Sequence, residues 1–418
     1  MERSILDTDL YKFTTSYAYM KMFPDAECTF SFVDRNRVPR TDEFLQEFKE
    51  ELAELENMEM TDAEFKWCVK NIPFIPQWYW EWLRTFSYDY DRMKPWLDDD
   101  RVLHIDVTDK NYKASLYEIP DMYSVPEVNN RDKDIDWDIT MMTLDEKVQM
   151  ANKEGFLFSE FGTRRRFSYE VQDRVCEWLK KHSKTCVGTS NVHFAMKYGM
   201  KPIGTHPHEW FMFHGAQYGY KNANYLALEN WTTCYDGSLG IALSDTYTSD
   251  AFFRNFSLKQ AKLFDGVRQD SGDEFEFIEK TIAFYKSKGI DPTTKTIVFS
   301  NSLDFEKAAK IARVCSGRIK CVIRVNPADN KKLYEFLEGE GKKLIGCSFG
   351  IGTNLTCDVY DNYSKERYPS ENIVMKMSRC RMNANQPWYA TIKLSDDEGK
   401  HMGPEPEIES AKYQLGIK

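Results

Sequence analysis

The amino-acid sequence predicts an α/β protein: an irregular, TIM-like α/β barrel with an accessory α+β domain built from both chain ends. Two observations carry this reading. Between about residues 135 and 355, short apolar runs alternate with helical patterns, the signature of parallel strands joined by crossover helices. The runs are FLFSEF (156–161), TCVGT (185–189), KPIGT (201–205), LGIALS (239–244), LFDGVR (263–268), TIVFS (296–300), IKCVIRV (319–325) and LIGCSF (344–349). Eight such units suit a barrel better than an open sheet, although their uneven spacing keeps a doubly wound sheet as the alternative. The flanking texture differs, so 131–355 reads as the barrel and 1–130 with 356–418 as the accessory domain.

The elements follow in order. Residues 41–64 hold ten acidic side chains and one lysine, with Phe44, Leu45, Phe48, Leu52 and Leu55 at helical spacing, and predict an amphipathic helix with a solvated acidic face. Trp78, Tyr79, Trp80, Trp82 and Trp96 lack interleaved Lys and Arg, so they predict a satellite core or a subunit interface, not a base-stacking platform. Val102–Val107 and Ala114–Ile119 read as strands. Gly155, Gly199 and Gly289 sit where a helix would stop. NIVMKMSRC (372–380) and PWYATIKL (387–394) read as two antiparallel strands, and HMGPEPEIES (401–410) as a loose tail.

Composition narrows the class. With 418 residues, 42% hydrophobic and 29% charged, this is an ordinary globular chain of two or three domains. No apolar run approaches the ~18–20 residues that span a bilayer. A formal net charge of −10, from 56 basic and 66 acidic side chains, argues against nucleic acid as the partner. Ten scattered cysteines without a CxxC pair, and an N-terminus with charges but no apolar core, predict a cytoplasmic protein with reduced thiols and no leader.

A polar or glycine-rich patch follows each run that ends a strand: GTRRR (162–166), SN (190–191), HPHEW (206–210), DTYTSD (245–250), RQDSGD (268–273), NSLD (301–304) and GIGTN (350–354). That edge of a barrel is where loops converge on an active site. Arg164, Arg165 and Arg166 at a helix start, Arg268 and the open backbone of GIGTN point to a phosphorylated substrate. His206, His208 and His214 raise the question of a metal. The HExxH zinc pattern fails at Met212, so one histidine is expected to act as nucleophile or base, with Glu209 or Asp245 as its partner. Asp270 suits a sugar diol or Mg²⁺, whereas Ser271 and Asp273 suit capping of the helix that follows.

Taken together, LDTDLYK (6–12), FSEFGTRRR (158–166), GTSN (188–191), KPIGTHPHEW (201–210), LSDTY (243–247), GVRQDSGD (266–273) and FGIGTNL (349–355) resemble the nicotinate phosphoribosyltransferase family over residues 5–403. The resemblance implies a homodimer with shared active sites. It implies transfer of phosphoribose from 5-phosphoribosyl 1-pyrophosphate to nicotinate, giving nicotinate mononucleotide and pyrophosphate, the first step of NAD salvage from nicotinate. ATP hydrolysis would be coupled through a phosphohistidine at His208, supported by Asp245. Tyr11 from the partner subunit and Phe161 would sandwich the pyridine ring, and Thr205 and Arg268 would lie beside the carboxylate. Arg164, Asp270, Gly350, Gly352 and Thr353 would hold ribose and phosphates, with Mg²⁺ carried by the substrate phosphates rather than by protein ligands. Preference for the amide, nicotinamide, is the nearest alternative, and a metal-dependent barrel hydrolase using His206 and His208 a distant one. The segment 319–343 reads as an extra helical unit of no assigned role.

Overall fold

In the computed structural model, which describes residues 4–204, 206–319 and 347–417, the alternating runs become parallel strands. The accessory part contributes β1 (Glu27–Asp34), β2 (Trp96–Leu97), β3 (Leu103–His104) and β4 (Asp106–Lys110). The barrel contributes β5 (Leu157–Glu160), β6 (Cys186–Thr189), β7 (Lys201–Pro202), β8 (Ile241–Leu243), β9 (Gly266–Gln269), β10 (Thr296–Phe299) and β11 (Cys347–Ile351). After it come β12 (Ile373–Arg381) and β13 (Tyr389–Ala390).

The seven barrel strands form one curled parallel sheet in the order β7-β6-β5-β11-β10-β9-β8. Among the described residues it is open between β7 and β8, where the chain inserts the helices His208–Tyr218 and Tyr220–Tyr235. The expected eighth run, IKCVIRV, and the expected helical unit of 319–343 lie outside the described residues except for Ile319. Gly155, Gly199 and Gly289 end their helices with φ of 75°, 57° and 68°, the left-handed conformation that costs glycine least.

Both chain ends meet in the accessory sheet. β1 pairs antiparallel with β12 from Glu27↔Arg381 to Asp34↔Ile373 and with β4 on its other edge, giving the order β13-β12-β1-β4. Tyr79 and Trp80 are fully buried, with Trp80 edge-on to Phe13 at 5.5 Å, so the aromatic cluster is mainly core; Trp78 and Trp96 remain exposed.

Three local expectations are corrected. Ala114–Ile119 is not a strand but part of the helix Asn111–Asn129, which is buried on nearly every side and so shows no amphipathic period to distinguish it. The helix expected over 41–64 ends at Ala53; a second, Asp62–Asn71, starts from a capping box in which the Thr61 hydroxyl and Glu64 carboxylate satisfy each other's backbone N–H groups. The tail is not loose: Glu405–Leu415 is a helix that buries Ile408, Ala411 and Leu415 and packs on the helix Tyr220–Tyr235. Its apolar positions continue past the polar stretch that suggested disorder.

Strand packing leaves no space at Gly266, where a Cβ would stand 2.0 Å from the Thr296 carbonyl oxygen on β10. Gly266→Ala is therefore expected to lose about 1–3 kcal/mol or more of stability by overpacking, read as a lower denaturant midpoint.

Candidate active site

All the strands of the curled sheet end on one side, and their C-terminal extensions bring four elements to a single imidazole. His208 opens the helix His208–Tyr218 after the extended Pro207. Asp270 follows β9, Thr246 and Asp245 follow β8, and Lys393 arrives from the C-terminal segment beyond β13. Nε2 of His208 lies 3.0 Å from Asp270 Oδ2, 3.0 Å from Lys393 Nζ and 3.8 Å from Asp245 Oδ1, while Nδ1 is 2.9 Å from Thr246 Oγ1. Burial, reinforced by the Lys393 ammonium, lowers the His208 pKa to about 4 against the pull of the two carboxylates, so the ring is neutral at pH 7. The neutral ring carries one proton: on Nε2 it donates to Asp270 and leaves Nδ1 to accept from Thr246, and on Nδ1 it donates to Thr246 and leaves Nε2 to accept from Lys393.

The carboxylates differ. Burial disfavours a charged Asp270, but Arg268, His208 and Lys393 outweigh it and hold the acid well below the usual range. Arg268 is itself braced, donating from Nε to Ser300 Oγ at 2.8 Å and from Nη2 to Asp270 Oδ1 at 2.9 Å. Asp245 accepts from Ser271 Oγ at 2.6 Å through Oδ2, and its buried Oδ1 has no hydrogen-bond partner among the described residues. His208, Asp245 and Asp270 place one ligand atom each within 4.8 Å of one another, the one group of such spacing found among the described residues.

A second cluster stands beside this one. Arg164, in the 3₁₀ turn Thr163–Arg165 after β5, donates to the Tyr11 hydroxyl at 2.6 Å. Phe161 packs into the space of two glycines: a Cβ at Gly350 would stand 2.5 Å from its ring, and one at Gly352 would stand 2.7 Å from its carbonyl oxygen. Behind Arg164, the Glu118 carboxylate lies 3.7 Å from Arg164, 3.8 Å from Lys376 and 2.5 Å from Lys12. Burial opposes its ionisation, but Lys12, Lys376 and Arg164 hold Glu118 down at about 2. Burial, with Arg164, Lys393 and Lys12 nearby, drives Lys376 down to about 7 despite Glu118.

The structure distributes the sequence-selected residues unevenly. His208, Asp245, Arg268 and Asp270 converge on one centre, and Tyr11, Phe161, Arg164, Gly350 and Gly352 on its neighbour; Thr353 starts the single turn Thr353–Thr356 beside them. Thr205 lies outside the described residues. Glu209 does not hold the imidazole: its carboxylate takes Lys12 at 2.5 Å and Ser115 at 2.7 Å, facing into the accessory part. The direct carboxylate partner of His208 is Asp270, with Asp245 farther away. Within the chain the Tyr11 hydroxyl meets Arg164, because residues 6–10 run along the β6 exit: Leu10 N–H donates to Ser190 O, and Val192 and His193 N–H donate to Thr8 O and Leu6 O.

Further corrections concern the basic patch and the histidines. Arg166, whose role the sequence leaves open between ATP, the sugar phosphate and the surface, is turned inward, 2% exposed and paired with Asp7. The Arg triplet forms only a 3₁₀ turn, and the helix Tyr169–His182 begins later, capped by Ser168. Ser271 steadies Asp245, whereas Asp273 alone caps the helix Glu274–Ser287. His206 is buried edge-on to Phe211 and Trp231 with no hydrogen-bond partner for either ring nitrogen among the described residues; burial depresses its pKa to about 3. It is outside the His208 group, which removes the HxH metal reading. Sequence reasoning missed Lys393, Lys376, Thr246, Ser300, Glu118 and Lys12. The only available signal was a lysine in each of two otherwise apolar strand patterns, VMKMS and ATIKL.

A half-barrel whose C-terminal rim holds a neutral histidine between an ammonium and carboxylates, beside an arginine and an aromatic shelf, defines a group-transfer enzyme acting on anionic substrates. Residues 156–415 match the nicotinate phosphoribosyltransferase (NAPRTase) family, and residues 6–125 match its N-terminal domain. A nicotinate phosphoribosyltransferase of Chromohalobacter salexigens is 40% identical over 419 residues, covering 99% of this chain and 98% of that one. One from Methanosarcina mazei is 35% identical over 438 residues, covering 100% and 99%. The crystal structure of the Porphyromonas gingivalis nicotinate phosphoribosyltransferase superposes with a TM-score of 0.91 at 42% identity, covering both chains completely. The chain belongs to the nicotinate phosphoribosyltransferase family.

The Lys12 ammonium is fully buried between Glu118 and Glu209, whose side chains are 3% and 4% exposed. Lys12→Met leaves Glu209 with no cation and Glu118 with only the more distant Arg164 and Lys376, and is expected to cost about 3–5 kcal/mol in chemical denaturation at pH 7. The deficit should narrow at pH 5, because carboxyls left without the ammonium take up protons and lose the burial penalty.

Proposed function

We propose that this chain joins nicotinate to the phosphoribosyl group of 5-phosphoribosyl 1-pyrophosphate, the entry of nicotinate into NAD salvage, and couples the transfer to ATP hydrolysis through His208. The observation that carries the coupling is the buried, neutral imidazole with Lys393 and Asp270 each 3.0 Å from Nε2. In the tautomer protonated on Nδ1, the Nε2 lone pair attacks the γ-phosphorus of ATP; the N–P bond forms as the bond to the ADP oxygen breaks, the Nδ1 proton is given up, and Lys393 faces the added negative charge. Water later attacks the same phosphorus, the N–P bond breaks, and phosphate leaves with the histidine restored. A phosphoryl group on His208 adds charge and acceptor oxygens beside Lys393 and Arg268, reorganising the mouth in which the donor binds.

In the transfer itself the pyridine nitrogen attacks ribose C1 as the C1–O bond to pyrophosphate breaks, with both bonding electrons leaving on the oxygen. Tyr11 and Phe161 border the place of the ring, and Arg268, braced by Ser300 and Asp270, supplies a cationic donor that suits a carboxylate over an amide. Arg164 and Lys376 face the donor's phosphates, beside the turn that Gly352 and Thr353 open after β11. Asp245 and Asp270 offer oxygen donors that fit Mg²⁺, the free Oδ1 of Asp245 above all. Bound there, Mg²⁺ would neutralise charge on the pyrophosphate leaving group. The enzyme is proposed to work as a cytoplasmic homodimer; no helix among the described residues is long and apolar enough to cross a membrane.

Chromatography of reactions containing the donor, Mg²⁺ and either nicotinate or nicotinamide, with and without ATP, should show nicotinate mononucleotide rising with ATP. Product from nicotinamide alone overturns the carboxylate preference. His208→Ala is expected to abolish the ATP response and leave weak transfer; full ATP-dependent turnover in that variant sinks the coupling. Arg268→Ala should raise the nicotinate KM by about tenfold to a hundredfold, the size of a lost charged hydrogen bond. Because Lys376 titrates near 7, its charge is present below that pH and lost above it, so the donor KM should climb from pH 7 to 9. Lys376→Met should raise that KM at pH 6 and flatten the climb.

A further inference from the structure

We infer that Asp7 and Arg166 are positioning residues, whose buried ion pair fixes the N-terminal segment on the barrel rim and thereby sets Tyr11 against Arg164. Neither side chain reaches the pocket: they are 3% and 2% exposed. Arg166 grips Asp7 with both prongs, Nη1 to Oδ1 and Nη2 to Oδ2, each at 2.8 Å. Gln172 Oε1 accepts from Nη1 at 3.2 Å, and the guanidinium lies 4.2 Å from the centre of the Tyr123 ring. On the other side, Asn191 Nδ2 donates to Asp7 Oδ1 at 2.7 Å. The Arg166 guanidinium outweighs the burial that would raise the Asp7 pKa and holds it below the usual range, so the pair stays ionised.

Asp7 lies four residues before Tyr11, and Arg166 two residues after Arg164. The same two segments are therefore joined by two rungs, one buried and forked, the other at the pocket with a single 2.6 Å hydrogen bond. Between the rungs the segment is tied through backbone contacts to residues 190–193, the Ser190 hydroxyl on Asp9 Oδ1 and a side-chain hydrogen bond between Asp9 and Thr163. Two parallel N–H···O bonds impose both distance and angle, which a single bond or an apolar contact does not. Burying such a pair gains little stability over an apolar pair of similar volume, so its distinctive contribution is geometry. A displacement of about 1 Å at a substrate-positioning group can cost about a hundredfold.

The inference rests on the transferase reading for its kinetic test, and an amide-exchange measurement stands apart from that reading. In the full-length chain, Asp7→Leu with Arg166→Met removes both charges and strands neither. This variant should raise the nicotinate KM about tenfold with kcat within about threefold, and the same pair of changes in a Tyr11→Ala background should move KM less than about twofold, because contacts that act through one another are non-additive. A KM rise of equal size in both backgrounds, or none in the folded variant, overturns the assignment. If that variant does not fold, Asp7→Asn, which keeps the shape and one acceptor, carries the same comparison. Hydrogen exchange of the Leu10, Val192 and His193 amides should speed up relative to core strand amides in the altered protein. Unchanged protection overturns the positioning role whatever reaction the enzyme runs, whereas absence of transfer by the unaltered chain overturns only the transferase reading.

Discussion

Every charged side chain buried at the mouth of the barrel must find its counter-ion within the protein, and this constraint decides where the N-terminal segment runs. An unpaired guanidinium or ammonium in such a site would cost several kcal/mol. Arg166 on the rim is matched by Asp7, and Lys12 by Glu118 and Glu209, from three different elements. The segment that carries Asp7 and Lys12 therefore has one place to lie, across the exits of β5 and β6, and Tyr11 comes with it. The place of Tyr11 beside Arg164 is a consequence of charge pairing behind it.

The same economy shapes the histidine. Among charged neighbours an exposed imidazole would follow the solution pH; at 7% exposure, with Lys393 beside it, His208 is held neutral across the physiological range. Asp270 is the shared base of the arrangement, linking His208 to Arg268 and through Ser300 to β10. A change in charge on the imidazole is felt at once by the ammonium, the carboxylate and the guanidinium that face the substrate. Were a phosphoryl group carried on the imidazole as proposed, its contacts with Asp270 and Lys393 would give the coupling a direct route, without a long chain of intermediates.

The sequence made the barrel legible because its strands are short apolar runs that end in chemistry: the residues after β5, β8, β9 and β11 could be read straight off the alternation. It failed where burial erased periodicity, as in the all-round buried helix Asn111–Asn129, and where an apolar spacing continued beneath a polar surface, as in Glu405–Leu415. It also misassigned charges. Arg164 and Arg166 look alike in RRR, where a turn spacing of two residues sends them to opposite sides, and Glu209 and Asp245 are the partners the sequence offers His208 although Asp270 is the carboxylate in contact.

By itself the sequence determined the fold class, the family and the set of rim motifs, because periodicity and short motifs are local properties written in consecutive residues. Only the tertiary structure decided that Lys393 and Asp270, 185 and 62 residues from His208, are its partners, and that Asp7 and Arg166, 159 residues apart, hold the rim together. Electrostatic pairing acts through space over a few ångströms, and no spacing along the chain encodes which distant charge will fill the last place beside another.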